Sequence, residues 1–187
     1  MEEFTMHPMV EMRDVWTFED VDALDVPDWW RYEIVDGGLV VSPSTGGDHE
    51  LASAELRTAM HGALPGGTIV AGPMGVQMTR SYLVPDLVVV ERERLRGART
   101  LAATDVMLAI EIVSPGSVTM DRVTKPAKYA AAGIKAYWRV ETDPLSVTAY
   151  TLAPGAEVYT EVGSWGPSEI ARIAEPFPVE FEVDRLG

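Results

Sequence analysis

Two stretches of the chain are apolar almost without interruption: residues 83–90 (LVPDLVVV) and residues 107–113 (MLAIEIV). A run of that length with no polar alternation leaves no face for solvent, so each predicts a strand buried on both sides of a sheet. Around them the period changes. Residues 30–35 and 39–41 are β-prone runs on either side of Asp36-Gly37, which predicts a hairpin. Residues 68–71 and 75–79 read as strands around a Gly-Pro turn, and residues 135–141 as another strand. Residues 147–152 and 158–162 read as a following hairpin, and residues 169–183 as one more strand broken by Pro176 and Pro178. Helical spacing appears in three places. Thr17 caps a short helix over 18–24, with Glu19, Asp20 and Asp22 near its N-terminus and Pro27 after its end. Leu51, Ala54, Leu56 and Ala59 mark a helix over 48–64, stopped by Pro65-Gly66-Gly67. A third helix covers 126–132, with Pro126 in its first turn and Gly133 just past its end. Residues 42–47 and the opening of 114–124 read as loops, and the Arg-rich stretch 91–104 as exposed. This order of helices and strands predicts a mixed α/β or α+β domain around one sheet. One domain is expected over 1–187, with its core at about 30–152 and an acidic, flexible arm over 1–15.

Composition narrows the class. The 187 residues are 47% hydrophobic and 24% charged, which suits a folded domain and argues against disorder. No cysteine is present, which excludes thiolate metal sites and cysteine nucleophiles. No signal peptide or membrane helix is read from the sequence, so a cytoplasmic location is expected. The net charge of −14 disfavours nonspecific binding to nucleic acid. That charge is uneven: residues 80–139 carry 10 Lys+Arg against 6 Asp+Glu, and the remainder 5 against 23. The basic middle is either a local excess or the place of an anionic substrate.

Each buried-looking run is interrupted by one acid, Asp86 just after Pro85 and Glu111 within 107–113. A carboxylate in a run meant for the core is costly unless paired or bound to a metal. Either one alone reads as a strand-end acid facing solvent. Two on neighbouring strands point to a hard-cation site, since carboxylates and carbonyls suit Mg²⁺ or Mn²⁺. The helix that follows bears Asp121, Arg122, Lys125 and Lys128; the two lysines sit on a solvated face or point a cation at a phosphate. Arg92, Arg94, Arg96 and Arg99 alternate with Glu91 and Glu93, which favours a solvated loop over a phosphate-contacting one. Trp29, Trp30, Trp138 and Trp165 can stack on bases, but beside strand-like runs core packing is the commoner use.

Four pieces occur in order: Tyr32-Glu33-Ile34-Val35-Asp36-Gly37 with Val40-Val41-Ser42-Pro43 and His49; Val84-Pro85-Asp86 with the apolar residues after it; Glu111-Ile112-Val113-Ser114-Pro115; and Asp121-Arg122, Lys125, Tyr129, Gly133-Ile134 and Tyr137-Trp138-Arg139-Val140. Together they resemble the Uma-two family of restriction-endonuclease-like proteins, within the PD-(D/E)XK nuclease superfamily. The resemblance implies a central mixed β-sheet flanked by helices. It implies a Mg²⁺ or Mn²⁺ site built from Asp86, Glu111 and the backbone carbonyl of Ile112. It also implies DNA as substrate and a homodimer, for which the hairpin within 147–162 is the candidate interface. The superfamily lysine two residues after the second acid is Val113 here, and the resembled family places it on the next helix, at Lys125. Gly38 stands where the family often has an acid. Glu33 matches a position that can be an outer metal ligand or pair with an arginine. His49 matches one that can contact phosphate, assist proton transfer or decorate the helix start.

The chemistry implied is metal-assisted phosphodiester hydrolysis, with Lys125 orienting water or stabilising the transition state. A non-catalytic interaction scaffold on the same fold is the alternative, and hydrolysis of a small phosphate ester is a third reading.

Overall fold

The computed structural model describes residues 13–24, 30–43, 45–114 and 116–187. Pro27, Trp29, Pro115 and most of the acidic arm lie outside them. Helix α1 (Phe18–Asp22) is capped as its sequence predicts. Asp20 N–H donates to Thr17 Oγ1 at 3.3 Å and Thr17 N–H donates to Asp20 Oδ2 at 2.9 Å. Trp16 is buried, and its N–H donates to the Gly37 carbonyl at 2.8 Å, so the end of the expected arm packs on the first hairpin.

That hairpin joins β1 (Trp30–Val35) to β2 (Gly38–Pro43) in register from Trp30↔Pro43 to Val35↔Gly38. Asp36 has φ 52° and Gly37 has φ 91°. A two-residue hairpin needs this left-handed backbone at both turn positions, and Asp-Gly tolerates it. Helix α2 (Gly47–His61) follows, ending short of the residue 64 expected. Then come β3 (Thr68–Ala71) and β4 (Val76–Met78). The run 83–90 is two strands rather than one, β5 (Ser81–Leu83) and β6 (Leu87–Glu91), and they enter different sheets. Pro85 has no N–H to give a ladder, and the chain breaks there.

The Arg-rich stretch contains α3 (Arg92–Leu95) and β7 (Leu101–Ala102). Its arginines are exposed; Arg94 pairs with Asp105 at 3.3 Å and Arg96 with Glu93 at 3.5 Å, whereas Arg99 reaches Asp22 of α1. Leu101 and Ala103 of the same stretch are buried. Strand β8 (Val106–Val113) leads into a π-helical turn, Met120–Thr124, which runs into α4 (Lys125–Ala131). A loop opening over 114–124 was expected; its second half is helical. Pro126 sits just after the wider turn, where its missing N–H leaves no α-helical hydrogen bond to make. After Gly133 (φ 81°) come β9 (Ala136–Thr142), β10 (Leu145–Thr151) and β11 (Thr160–Trp165). The tail forms two strands, not one: β12 (Ile170–Ile173) and β13 (Val179–Glu182), paired antiparallel. Pro176 and Pro178 fall in the turn between them, where the ladder needs no donors.

A five-stranded sheet has the order β2-β1-β5-β4-β7, and a six-stranded mixed sheet the order β11-β10-β9-β8-β6-β3. In the second, β8 and β9 are parallel, and the π turn and α4 form the crossover between them. Alternate side chains divide between its faces. Leu87, Val89, Leu108, Ile110 and Ile112 join Leu56 and Met60 of α2 and Phe177 and Phe181 of the tail. Val88, Val90 and Ala109 join Leu83, Tyr129 and Tyr137 on the other face. Both faces of β6 are covered, which is why its sequence shows no alternation; each wholly buried aliphatic there contributes about 1.5–3 kcal/mol. Trp138 is wholly buried and packs with its ring tilted against Phe177 and Phe181, a core residue rather than a base platform. In the hairpin read as an exposed interface, Val147, Thr148 and Ala149 are buried, leaving only β11 as an outer strand.

Gly72 (φ 142°) passes so close to β6 that a Cβ there would lie 2.2 Å from the Asp86 carbonyl oxygen. Gly72→Ala should cost about 2 kcal/mol through this overlap, seen as a fall of about 4–8 °C in Tm. An unchanged melt would show that the Asp86 backbone has room to move.

Candidate active site

Asp86 and Glu111 face each other by register. Leu87 pairs with Ile110, so one step further along the antiparallel ladder Asp86 lies opposite Glu111, on the face that carries Tyr129. Asp86 is 3% exposed and Glu111 wholly buried. One oxygen of Asp86 accepts from Arg31 Nη1 at 2.7 Å, and the other from the Ile112 N–H at 2.8 Å. His49 Nε2 lies 3.0 Å from that second oxygen, in ion-pair range but not aligned as a hydrogen bond. Burial alone would raise the Asp86 pKa; His49, Arg31 and Lys125 outweigh it and hold the carboxyl well below the usual range.

Glu111 is in the opposite condition. Burial, with Asp86, Asp121 and Glu33 nearby, pushes its pKa well above the ordinary value against the pull of Lys125. Its Oε2 accepts from Lys125 Nζ at 3.0 Å and its Oε1 from the Tyr129 hydroxyl. Lys125 also lies 3.1 Å from Glu33 and 3.4 Å from Asp121. Burial would lower the lysine pKa, but these acids raise it, so the ammonium is fixed in its charged form. Glu33 accepts the Val84 N–H at 2.7 Å, which anchors β1 to the segment before Asp86. Burial raises the pKa of Asp121.

The expected residues Asp86, Glu111, Lys125, Glu33, His49 and the Ile112 backbone are therefore adjacent. Glu33 pairs with a lysine, not the arginine considered from sequence. Lys128 does not join them: its ammonium bonds both Asp36 oxygens, at 2.7 and 2.6 Å, tying α4 to the first hairpin. Arg122 grips Glu141 through two bonds of 2.9 Å, tying the π turn to β9. Three further members were not read as site residues: Arg31, Asp121 and Tyr129. A signal for each was present. Arg31 is two residues before Glu33, the spacing that shares a strand face, and Asp121, Lys125 and Tyr129 are four apart, the spacing that shares a helix face.

Glu33, Asp86, Glu111 and Asp121 are four buried acids against two permanent cations, Arg31 and Lys125. The hard oxygen donors, four carboxyl groups against two cations, fit one divalent cation, whose charge would favour the ionised form of Glu111. Among the described residues, no three His, Asp or Glu side chains converge to hold an ion. The ammonium of Lys125 occupies that role, and an ion ligated by Glu111 Oε2 would displace it.

The fold is mixed α+β, with the buried acids held between its strands and α4. The chain belongs to the Uma2 family, described as "Putative restriction endonuclease", whose model matches residues 18–185. A solved structure, titled as a putative nuclease belonging to DUF820 from Anabaena variabilis, has the same fold. It is 15% identical, with a TM-score of 0.69, over 90% of this chain and 95% of that one. No curated protein matches the chain. Among the described residues no helix is long and apolar enough to cross a membrane.

Proposed function

We propose that the protein is a divalent-metal-dependent nuclease that hydrolyses phosphodiester bonds, in DNA by family analogy. The supporting observation is the cluster of four buried carboxyl groups, Glu33, Asp86, Glu111 and Asp121, around Arg31 and Lys125, which a Mg²⁺ or Mn²⁺ ion would hold in their ionised form. In this reading Asp86, Glu111 and the Ile112 carbonyl hold the ion. A divalent ion there supplies Lewis acidity to a phosphoryl oxygen and lowers the pKa of a bound water. Arg31 and His49 flank Asp86 and face the phosphate. Lys125 orients the attacking water or stabilises charge on the transition state, with Glu33 and Asp121 fixing its position.

The alternative, a non-catalytic scaffold with a structural ion cluster, draws on the same ammonium, which already satisfies Glu111. Calorimetric titration with Mn²⁺ separates the two. The nuclease reading expects the wild type to bind, and Asp86→Asn and Glu111→Gln each to lose at least about 100-fold in affinity, since first ligands matter at least as much as their supporting residues. Absence of wild-type binding, or equal binding by both variants, would favour the scaffold.

A further inference from the structure

Beside the acids lies a second cavity that the chemistry above does not use. Its volume is about 580 Å³, inside the range of roughly 300–1,000 Å³ typical of small-molecule sites. It shares Arg31, His49 and Asp86 with the 360 Å³ cavity over Glu33, Asp121 and Lys125. A ligand group in the larger space would therefore lie next to the reacting centre. Trp30, Tyr32 and Tyr82 give it aromatic walls, and Ser53, Ala54 and Arg57 line it from one side of α2.

Two polar side chains line this space without a hydrogen bond to an acid. Arg57 donates to the Gly72 carbonyl at 2.6 Å and reaches the Val70 carbonyl at 3.4 Å, and it makes no ion pair among the described residues. His49 is 6% exposed, yet its Nδ1 has no hydrogen-bond partner; the Glu50 carboxylate is 3.7 Å away. A buried ring nitrogen left unpaired is costly, and a polar ligand edge would satisfy it. Aromatic walls with donors at the margin suit a planar heterocycle carrying carbonyl and amino groups.

Access points the same way. The acids and Lys125 are at most 3% exposed, so a phosphodiester must be drawn into the smaller cavity to reach them. A base held in a duplex stack cannot follow into the larger one, but an unpaired base can. The net charge of −14 also gives little of the long cationic footprint that grips a duplex. We propose that this cavity receives one unpaired nucleobase beside the scissile phosphate, so that the substrate class is single-stranded nucleic acid. The proposal rests on the nuclease reading for its phosphate site but makes a separate claim about the base.

The test is anisotropy with a labelled single-stranded 12-mer and a blunt duplex of the same sequence, in Ca²⁺ to suppress cleavage. The single strand should bind at least tenfold tighter. A deoxynucleoside 5′-monophosphate should compete, and deoxyribose 5-phosphate should not. Ala54→Trp, at an exposed helix position on the rim, should weaken single-strand binding at least tenfold while Mn²⁺ affinity stays unchanged; Arg57→Gln should do the same. Duplex binding as tight as single-strand binding, no binding of either, or full single-strand binding by Ala54→Trp would overturn the proposal. If Mn²⁺ binding depends on Asp86 and Glu111 but the cavity variants bind normally, only the base site falls. If Mn²⁺ does not bind but the single strand still depends on Ala54 and Arg57, the nuclease reading falls and the base site stands.

Discussion

Lys125→Met should lower stability by about 3–5 kcal/mol, the usual effect of removing one partner from a buried charged set. For a chain of this size that corresponds to a fall of about 6–20 °C in Tm. Methionine keeps the length and apolar stem of lysine, so packing changes little. What is lost is the cation that lies within 3.0–3.4 Å of Glu111, Glu33 and Asp121. The three acids are then left buried with no ammonium among them. If the site also takes a divalent ion, Mn²⁺ should raise the Tm of the variant more than that of the wild type, because the ion replaces the missing charge. Cleavage should still be lost, since a metal that restores the fold does not restore the donor that orients water. A melt unchanged by the substitution would mean the ammonium is not the neutralising charge its distances imply.

Glu111→Gln should act in two directions. Its carboxyl is wholly buried, and burial disfavours its charged form. The amide oxygen can still accept from Lys125 while its NH2 donates to the Tyr129 hydroxyl oxygen, the desolvation cost of a carboxylate is removed, and Glu33 and Asp121 still hold the ammonium. Folding stability at neutral pH should therefore stay within about 1 kcal/mol of wild type or rise, because Lys125 keeps two carboxylates and so is not left uncompensated, while one acid that is costly to bury charged is gone. Cleavage should fall by at least about 1,000-fold, equivalent to about 4 kcal/mol of transition-state stabilisation. A residue kept for the fold would lose stability and activity together. Opposite signs in urea midpoint and turnover would mark Glu111 as a functional acid; a large loss of stability would mark it as structural.

The parts of the fold legible in the sequence were those with a local cause. Asp36-Gly37 fixes the first hairpin because few other pairs tolerate two left-handed residues. The Thr17 cap is equally local, a side-chain bond within one turn, whereas α2 ends at His61, ahead of the Pro-Gly-Gly stop. The run 83–90 misled because hydrophobicity reports burial, not continuity: Pro85 divides it between two sheets, and both halves remain buried. That break also puts Asp86 at the strand start opposite Glu111, so the acid was recognised as anomalous before its geometry was visible. The missed residues share a different cause. Arg31 reaches Asp86 across 55 residues of chain, and no local pattern reports a partner so distant. Asp121 and Tyr129 stand at helical spacing from Lys125, but charges on a helix most often face solvent, and nothing in the spacing shows that this face turns inward to Glu111.

The crossover between the parallel strands β8 and β9 also couples the helix to the burial of the acids. Every acid of the cluster except Asp121 precedes it in the chain, and Lys125 comes last of the charged members but lies only 14 residues after Glu111. As the chain emerges from its N-terminus, Glu33, Asp86 and Glu111 are all made before their shared cation. The β6–β8 pairing by itself sets only Arg31 and His49 beside three acids meant for the interior. Burying them without the helix would leave them short of their shared cation, so docking of α4 and burial of the carboxyl groups belong to one cooperative step, and a lesion that loosens the helix should open the acid face of the sheet with it.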